Sequence, residues 1–327
     1  MISVIGGSGF IGTRLCKRLQ KSGVKFEIID KRVSKTFPDM TKVVDVRDIE
    51  GLRKNVSKAD VLINLAAEHR DDVRPKRLYD EVNVDGARNV CQIAEEKGVD
   101  KIIFTSSVAV YGFAPRGTDE SGELTPFNDY GRTKVLAENV YKKWQAKDSE
   151  NRTLVIVRPT VVFGEQNRGN VYNLLKQIAS GKFIMVGNGQ NVKSMAYVEN
   201  IAAFIEYSLN FGYGVHLYNY IDKPDFDMNT LVNTVYRALG KKAKINFRIP
   251  YWVGYSIGRM FDIVSLIIGK SFPISAIRIK KFCSDSMFDT SIAETGFKPP
   301  VSLQDGLRRT IEYEFINKKE GEVFYTE

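Results

Sequence analysis

Histidine is almost missing from this 327-residue chain, which has only His69 and His216. A His-based triad or a His-rich metal centre therefore has little material. Cysteine is scarce too: Cys16, Cys91 and Cys283 lie far apart without metal-ligand spacing, which fits a reducing compartment better than a disulfide framework. The sequence lacks any run of the ~20 apolar residues needed to cross a bilayer. Met1 leads straight into a strand-like segment, with no basic-then-apolar leader, so the chain is expected to stay on the cytoplasmic side. Internal repeats and low-complexity linkers are lacking as well. Acidic side chains are outnumbered, 39 against 48 Lys and Arg, giving a formal charge of +9. That excess favours an anionic partner, either a nucleotide or pyrophosphate group or a membrane surface. Nucleic acid is disfavoured, because the basic residues are scattered rather than interleaved with aromatics.

What is present begins at the N-terminus. Met1–Ile5 reads as a short buried strand, and Gly6-Gly7-Ser8-Gly9-Phe10-Ile11-Gly12 turns it into the helical pattern 13–22. Gly6 permits the tight turn, Gly9 lets the backbone approach a pyrophosphate, and Gly12 allows close packing, while the helix N-terminus faces the phosphate charge. Gly6, Gly9, Phe10, Ile11 and Gly12 are thus candidate cofactor residues. The second strand, Phe26–Ile29, ends in Asp30, where a carboxylate accepts adenosine ribose hydroxyls and repels a 2′-phosphate. NAD is favoured over NADP. Lys31 and Arg32 follow as a basic pair that would reach a 2′-phosphate only if Asp30 turned aside.

The chemistry-bearing stretch is Tyr130-Gly131-Arg132-Thr133-Lys134, in which a phenol and an ammonium share one helix face at i and i+4. Such a lysine is expected to lower the phenol pKa and make Tyr130 an acid/base. Ser107, upstream after the strand-like Lys101–Thr105, offers a hydroxyl for the same substrate oxygen. Ser107, Tyr130 and Lys134 are the candidate catalytic residues.

Strand-like runs at 1–5, 26–29, 42–46, 61–65, 102–105 and 154–157 alternate with amphipathic stretches, predicting an α/β protein with a Rossmann-type doubly wound parallel sheet. After Gly164 the alternation gives way to Gly- and Asn-rich pieces, predicting a smaller, discontinuous α/β substrate-binding lobe. The expected division is 1–164, with 192–222 returning to the sheet, against 165–191 and 223–327. Arg168, between Asn167 and Gly169, is a diphosphate candidate, and His69 and Arg70 lie just beyond the fourth strand near the cofactor. The segment 250–272 is the most apolar of the chain, yet Arg259 and Asp262 interrupt it. Two readings of it stay open: an interfacial helix on an anionic membrane, with Arg278, Lys280 and Lys281 beside it, or a helix packed into the lobe's core.

With these motifs in place, the chain resembles the extended short-chain dehydrogenase/reductases of the nucleotide-sugar epimerase/dehydratase family. The likeness rests on Gly6-x-x-Gly9-x-x-Gly12, Asp30, the Asp45-Val46 pair expected near adenine, Leu65-Ala66-Ala67, Asn83, Ser107-x-x-x-Tyr111-Gly112, Tyr130/Lys134 and an Arg158-Pro159 turn. It implies a catalytic role for Ser107, Tyr130 and Lys134, cofactor contacts at Asp45, Val46, Leu65, Ala66, Ala67, His69, Asn83 and Pro159, and substrate contacts at Asn170 and Lys193. Homodimerisation through helices around 78–96 and 130–145 is also implied. Val161 and Tyr197 depart from the Asn and His common in UDP-sugar epimerases, and Lys193 replaces a usual Arg. More narrowly, segments 66–72 and 167–178 are similar to those of bacterial epimerases acting on undecaprenyl-diphospho-N-acetylglucosamine, implying interconversion of GlcNAc and GalNAc on a lipid diphosphate during surface-polysaccharide assembly. The alternatives are a soluble UDP-GlcNAc or UDP-glucose 4-epimerase, a deoxysugar reductase, and a non-catalytic NAD-binding scaffold. A 4,6-dehydratase is disfavoured, since Ser107-Val108-Ala109 lacks the Asp-Glu pair that water elimination uses.

Overall fold

The computed structural model describes residues 1–70, 73–181, 183–242, 247–269, 275–317 and 321–326. Asp71, Asp72, Lys270 and Phe272, which belong to segments singled out from the sequence, lie outside the described residues. Seven strands form the central sheet: β1 (Ile2–Ile5), β2 (Phe26–Asp30), β3 (Thr41–Val43), β4 (Val61–Asn64), β5 (Lys101–Thr105), β6 (Thr153–Pro159) and β7 (Gly214–Tyr220). Their order is β3-β2-β1-β4-β5-β6-β7, and every pairing is parallel. β1, β4 and β6 are buried throughout, as expected where helices cover both faces of a parallel sheet.

The helices that matter for the site are α1 (Phe10–Lys21), α2 (Gly86–Lys97), α3 (Asp129–Ala146), α4 (Asn170–Ala179), α5 (Val198–Tyr207), α6 (Tyr251–Ile268) and α7 (Ala276–Cys283). On one face, Leu15 and Leu19 of α1 and Ile201 and Phe204 of α5 pack with Val4, Ile28 and Val155. On the other, Val90 and Ala94 of α2 and Ala137 and Tyr141 of α3 pack with Leu62, Ile102 and Ile156. A third core gathers Leu175, Ile178, Val232, Val235, Leu307 and Ile311 beside Phe10 and Tyr197.

Several elements differ from the sequence expectation. The third strand ends at Val43 rather than Val46, because the chain swings out after the Val44 N–H bond to the Asp30 carbonyl at 2.9 Å. α1 begins at Phe10, so Gly12 lies inside its first turn, where backbone N–H groups lack intrahelical partners anyway. Arg158 and Pro159 are not a turn but the last residues of β6, held by pairing of Pro159 with Tyr220. Near the C-terminus an α-helix, Leu303–Ile311, runs into a π-helical turn, Glu312–Ile316.

Arg158 ties β6 to α3. Its guanidinium donates to both Glu138 carboxylate oxygens, at 2.8 and 2.6 Å, and to the Tyr111 hydroxyl at 2.6 Å, with both charged side chains 1% exposed. Removing one partner of such a pair strands the other's charge in the core. Glu138→Ala is expected to lower unfolding free energy by about 3–5 kcal/mol in urea titration, whereas Glu138→Leu combined with Arg158→Met is much milder.

Candidate active site

The order in which the chain adds strands reverses between β1 and β4, and a cleft of about 650 Å³ opens at the carboxyl ends of these strands. That is the switch point at which doubly wound sheets bind ligands. Its floor is the loop from Gly6 to Gly12. Gly6 has φ of +79°, and a Cβ there would lie 2.6 Å from the Ala66 nitrogen. A Cβ on Gly12 would lie 2.6 Å from Gly7 Cα, so side chains at either position would spoil the turn. Gly9, the N-cap of α1, meets little, which leaves its backbone open to a ligand.

Phe10, Ile11, Asp30, Lys31, Asp45, Val46, Leu65, Ala66, Ala67, His69 and Pro159 also line the cleft. Asp30 accepts from the backbone N–H of Ser8 and of Arg32, both at 3.0 Å, which fixes the carboxylate beside the glycine loop. Lys31 is paired with Glu68 at 2.9 Å. Asp45 is gripped by Arg47 at 2.8 Å, and this hydrogen bond holds its carboxyl below the usual carboxylate range. His69 borders the cleft at the end of the loop after β4; desolvation lowers its pKa, and backbone hydrogen bonds at Ala67 and Thr326 oppose that shift. Asn83, implied as a cofactor contact, is not among the residues that line the cleft. It sits in a π-helical turn, Asp80–Asp85, accepts from Glu68 N–H and donates to the Glu68 carbonyl and Thr133 Oγ1, each at 2.9 Å, joining the β4 loop to α3. A glycine cradle, a fixed carboxylate and an apolar wall suit a dinucleotide such as NAD.

At the centre of the cleft stand Ser107, Tyr130 and Lys134. Asn128 caps α3 by accepting from Gly131 N–H at 2.9 Å, which places Tyr130 in the first turn. Ser107 hydrogen-bonds the Tyr130 hydroxyl. Lys134 donates to the Thr105 carbonyl at 2.8 Å, and its ammonium lies 4.7 Å from the Phe104 ring centroid and 5.8 Å from that of Tyr130. The acid–base balance differs from the sequence expectation. Burial pushes the Tyr130 phenol up to about 12, opposed by the Ser107 hydrogen bond, so the phenol is raised rather than lowered. Burial also brings Lys134 down to about 7, with Glu138 opposing. The pair therefore combines a protonated phenol with an amine that titrates near neutrality.

The substrate candidates are not all brought together. Asn170, the first residue of α4, and Lys193 line the cleft, as does Val161. Lys193 donates to the Lys281 carbonyl at 2.9 Å and to the Ser284 carbonyl, so it fastens α7 to the cleft; burial lowers its pKa to about 8. Arg168 is outside the cleft lining, paired with Glu314 at 2.9 Å and 4.2 Å from the Tyr172 ring centroid. Tyr197 likewise turns away, donating to Glu165 at 3.0 Å. Sequence reasoning missed Phe113, Phe127, Lys281 and Thr326 as cleft residues. No local motif marks them: Phe113 and Phe127 sit in the loop between β5 and α3, and Lys281 and Thr326 reach the cleft only through packing of the C-terminal part.

The chain matches the NAD dependent epimerase/dehydratase family over residues 2–219. It is 49% identical to the N-acetyl-alpha-D-glucosaminyl-diphospho-ditrans,octacis-undecaprenol 4-epimerase of Escherichia coli O157:H7, over 99% of this chain and 98% of that one. The UDP-glucose 4-epimerase of Thermotoga maritima, solved with UDP-glucose, superposes with a TM-score of 0.76 at 20% identity, covering 97% of this chain and 99% of that one. The UDP-N-acetylglucosamine 4-epimerase of Methanobrevibacter ruminantium, in complex with UDP-N-acetylmuramic acid, gives a TM-score of 0.76 at 22% identity, covering 97% and 98%. These two share the fold.

The buried lysine also sets a stability signature. In the unfolded chain Lys134 keeps its proton to about 10.5, whereas the folded one releases it near 7, so this group makes the native state more stable as pH rises through that window. In the cofactor-free protein, Lys134→Met should exceed the parent's stability near neutral pH by on the order of 2 kcal/mol while abolishing proton transfer. Urea midpoints taken at rising pH check this: the gap should close towards pH ~10.

Proposed function

Because the chain belongs to the NAD dependent epimerase/dehydratase family, we propose that it inverts C4 of N-acetylglucosamine carried on undecaprenyl diphosphate, interconverting GlcNAc and GalNAc. The observation that carries the chemistry is the Tyr130 hydroxyl bonded to Ser107 in the cleft with Lys134 buried behind it. Sugar and carrier follow from the name of the Escherichia coli relative, with which nearly the whole length is shared. Assembly of a surface polysaccharide is the process such a product serves.

When bound, NAD would supply the hydride acceptor and donor at C4 and would be regenerated within each turnover. Tyr130 first yields its own phenolic proton, for which the neutral form of the Lys134 amine is the neighbouring acceptor, and as phenolate it then takes the proton of the sugar 4-hydroxyl while Ser107 donates a hydrogen bond to that oxygen. The Lys134 ammonium so formed balances the phenolate charge. The 4-keto sugar would turn over in the cleft, and at the end of the cycle Tyr130 gives the proton back to the same oxygen. Gly6, Gly9, Gly12 and Asp30 hold pyrophosphate and ribose, while Asn170 and Lys193 lie towards the sugar diphosphate. Arg168, turned onto Glu314, acts by bracing the loop into α4. The NAD-binding part comprises 1–164 with 192–222, and the substrate lobe comprises 165–191 with 223–327.

Among the described residues no helix is long and apolar enough to cross a membrane. α6 nevertheless buries only Gly254 and Gly258 and leaves Trp252, Met260, Ile263, Leu266 and Ile267 more than half exposed. Arg259, Arg278, Lys280 and Lys281 supply positive charge on and beside it. We assign this face to the surface of an anionic membrane, where the lipid carrier resides. The homodimer would form elsewhere, through α2 and α3, where Leu136 is exposed.

Two experiments test these readings. Purified enzyme without added cofactor should convert undecaprenyl-diphospho-GlcNAc to the GalNAc form and leave UDP-GlcNAc unchanged, and Tyr130→Phe should lower the rate by about 10²–10⁴-fold; conversion of UDP-GlcNAc alone assigns the soluble epimerase instead. In vesicle flotation, Leu266→Glu with Ile267→Glu should abolish binding to anionic vesicles. Unchanged flotation, or conversion of a dimer to a monomer by the same variant, removes the membrane assignment.

A further inference from the structure

One wall of the cleft is built unlike the glycine loop. Phe113 and Phe127 stand with ring centroids 4.8 Å apart at an interplanar angle of 31°, and both remain exposed, at 46% and 44%. The Lys280 ammonium lies 4.9 Å from the Phe113 centroid, and that of Lys281 lies 4.8 Å from the Phe127 centroid. Phe113, Phe127 and Lys281 all line the same cleft as Tyr130. Phe127 directly precedes Asn128, the cap of α3, so the aromatic pair is anchored next to the reacting centre.

The two lysines come from α7, and their position is fixed twice. Lys193 holds the Lys281 carbonyl from the cleft side. On the outer side α7 starts against α6: a Cβ on Gly258 would lie 2.7 Å from the Ala276 nitrogen, and Asp262 accepts from Ala276 N–H at 3.1 Å. The cleft wall and the exposed apolar helix are thus one connected piece. A path runs from Tyr130 past Phe127 and Lys281 to α6.

Exposed phenyl rings beside cations combine two chemistries at one mouth. The ammonium groups suit a diphosphate, and the ring edges suit hydrocarbon. Each ring is already engaged by the other ring and by an ammonium, which disfavours stacking of a nucleobase. We propose that Phe113, Phe127, Lys280 and Lys281 form the carrier subsite, the lysines receiving the diphosphate and the aromatic pair the first isoprene units of a polyprenyl-diphosphate-linked sugar. This rests on the lipid-carrier reading given above and names the residues that choose lipid over nucleotide.

The test uses the NAD-bound enzyme and three esters of GlcNAc diphosphate, undecaprenyl, farnesyl and methyl, in one detergent. The parent should prefer both prenyl esters over the methyl ester in kcat/KM. Phe113→Ala, and separately the milder Phe127→Leu, should cut that preference about tenfold, the loss expected when part of a buried apolar contact is removed. Lys280→Gln with Lys281→Gln should raise KM for all three esters alike. Bound NAD and melting temperature report whether each variant folds. A parent that shows no prenyl preference overturns the carrier reading and the subsite with it. A parental preference that survives in both Phe variants overturns the subsite alone.

Discussion

The buried polar stripe of α3 is the constraint on which the reacting end of this protein depends. Tyr130, Lys134 and Glu138 follow one another at four-residue spacing, so one face of a helix carries a half-buried phenol into the cleft and a buried amine and carboxylate behind it. Each needs a partner there, since an unpaired buried polar or charged group is costly. The sheet supplies those partners at its carboxyl edge: Thr105 at the end of β5 accepts from Lys134, and Ser106 and Arg158 satisfy Glu138. Packing α3 in this register therefore fixes the Tyr130 hydroxyl relative to β5 and β6. Asn83, through Thr133, extends the same register to the loop after β4, where the cofactor's other contacts begin.

The stripe explains why the site is poised and also why it burdens the fold. Desolvation moves the lysine and the phenol in opposite directions, away from the charged form of each. An amine titrating near neutrality is a poor core residue but a suitable neighbour for a phenol that must alternately give and take a proton. Glu138, clamped by Arg158, keeps a negative charge below Lys134 and limits its loss of basicity. The protein thus keeps a lysine in its core that a methionine would replace more comfortably, and gains from it a group whose charge can follow the phenol's.

The cleft is lined by parts that lie far apart in the chain. The glycine loop and the carboxyl ends of β1, β2 and β4 line one part of it. Another part includes α7, which Lys193 fastens to the cleft and against which Gly258 lets α6 lie close. The C-terminal tail joins in as well: Phe324 packs against Phe10 with centroids 5.7 Å apart, and Thr326 donates to Asn167 at 2.6 Å.

Local spacing was enough to reveal the glycine turn, the carboxylate ending β2 and the Tyr130/Lys134 pair, because each is a short-range pattern whose geometry follows from one strand or one helical turn. The parallel sheet was legible for the same reason, from alternating strand and helix periods. Two expectations meet long-range contacts and burial that the sequence does not display: Arg168, a diphosphate candidate, pairs with Glu314, far away in sequence, and burial lowers the Lys134 pKa while raising that of the Tyr130 phenol. Apolar composition left α6 open between core and surface; packing left its bulky side chains outside. The sequence by itself determined the parallel sheet, the glycine turn and the placing of Tyr130 and Lys134 on one helix face. Tertiary structure alone decided their protonation, the residues at the aromatic wall of the cleft and the exposure of α6, since burial and long-range contact belong to the folded chain and not to any segment of it.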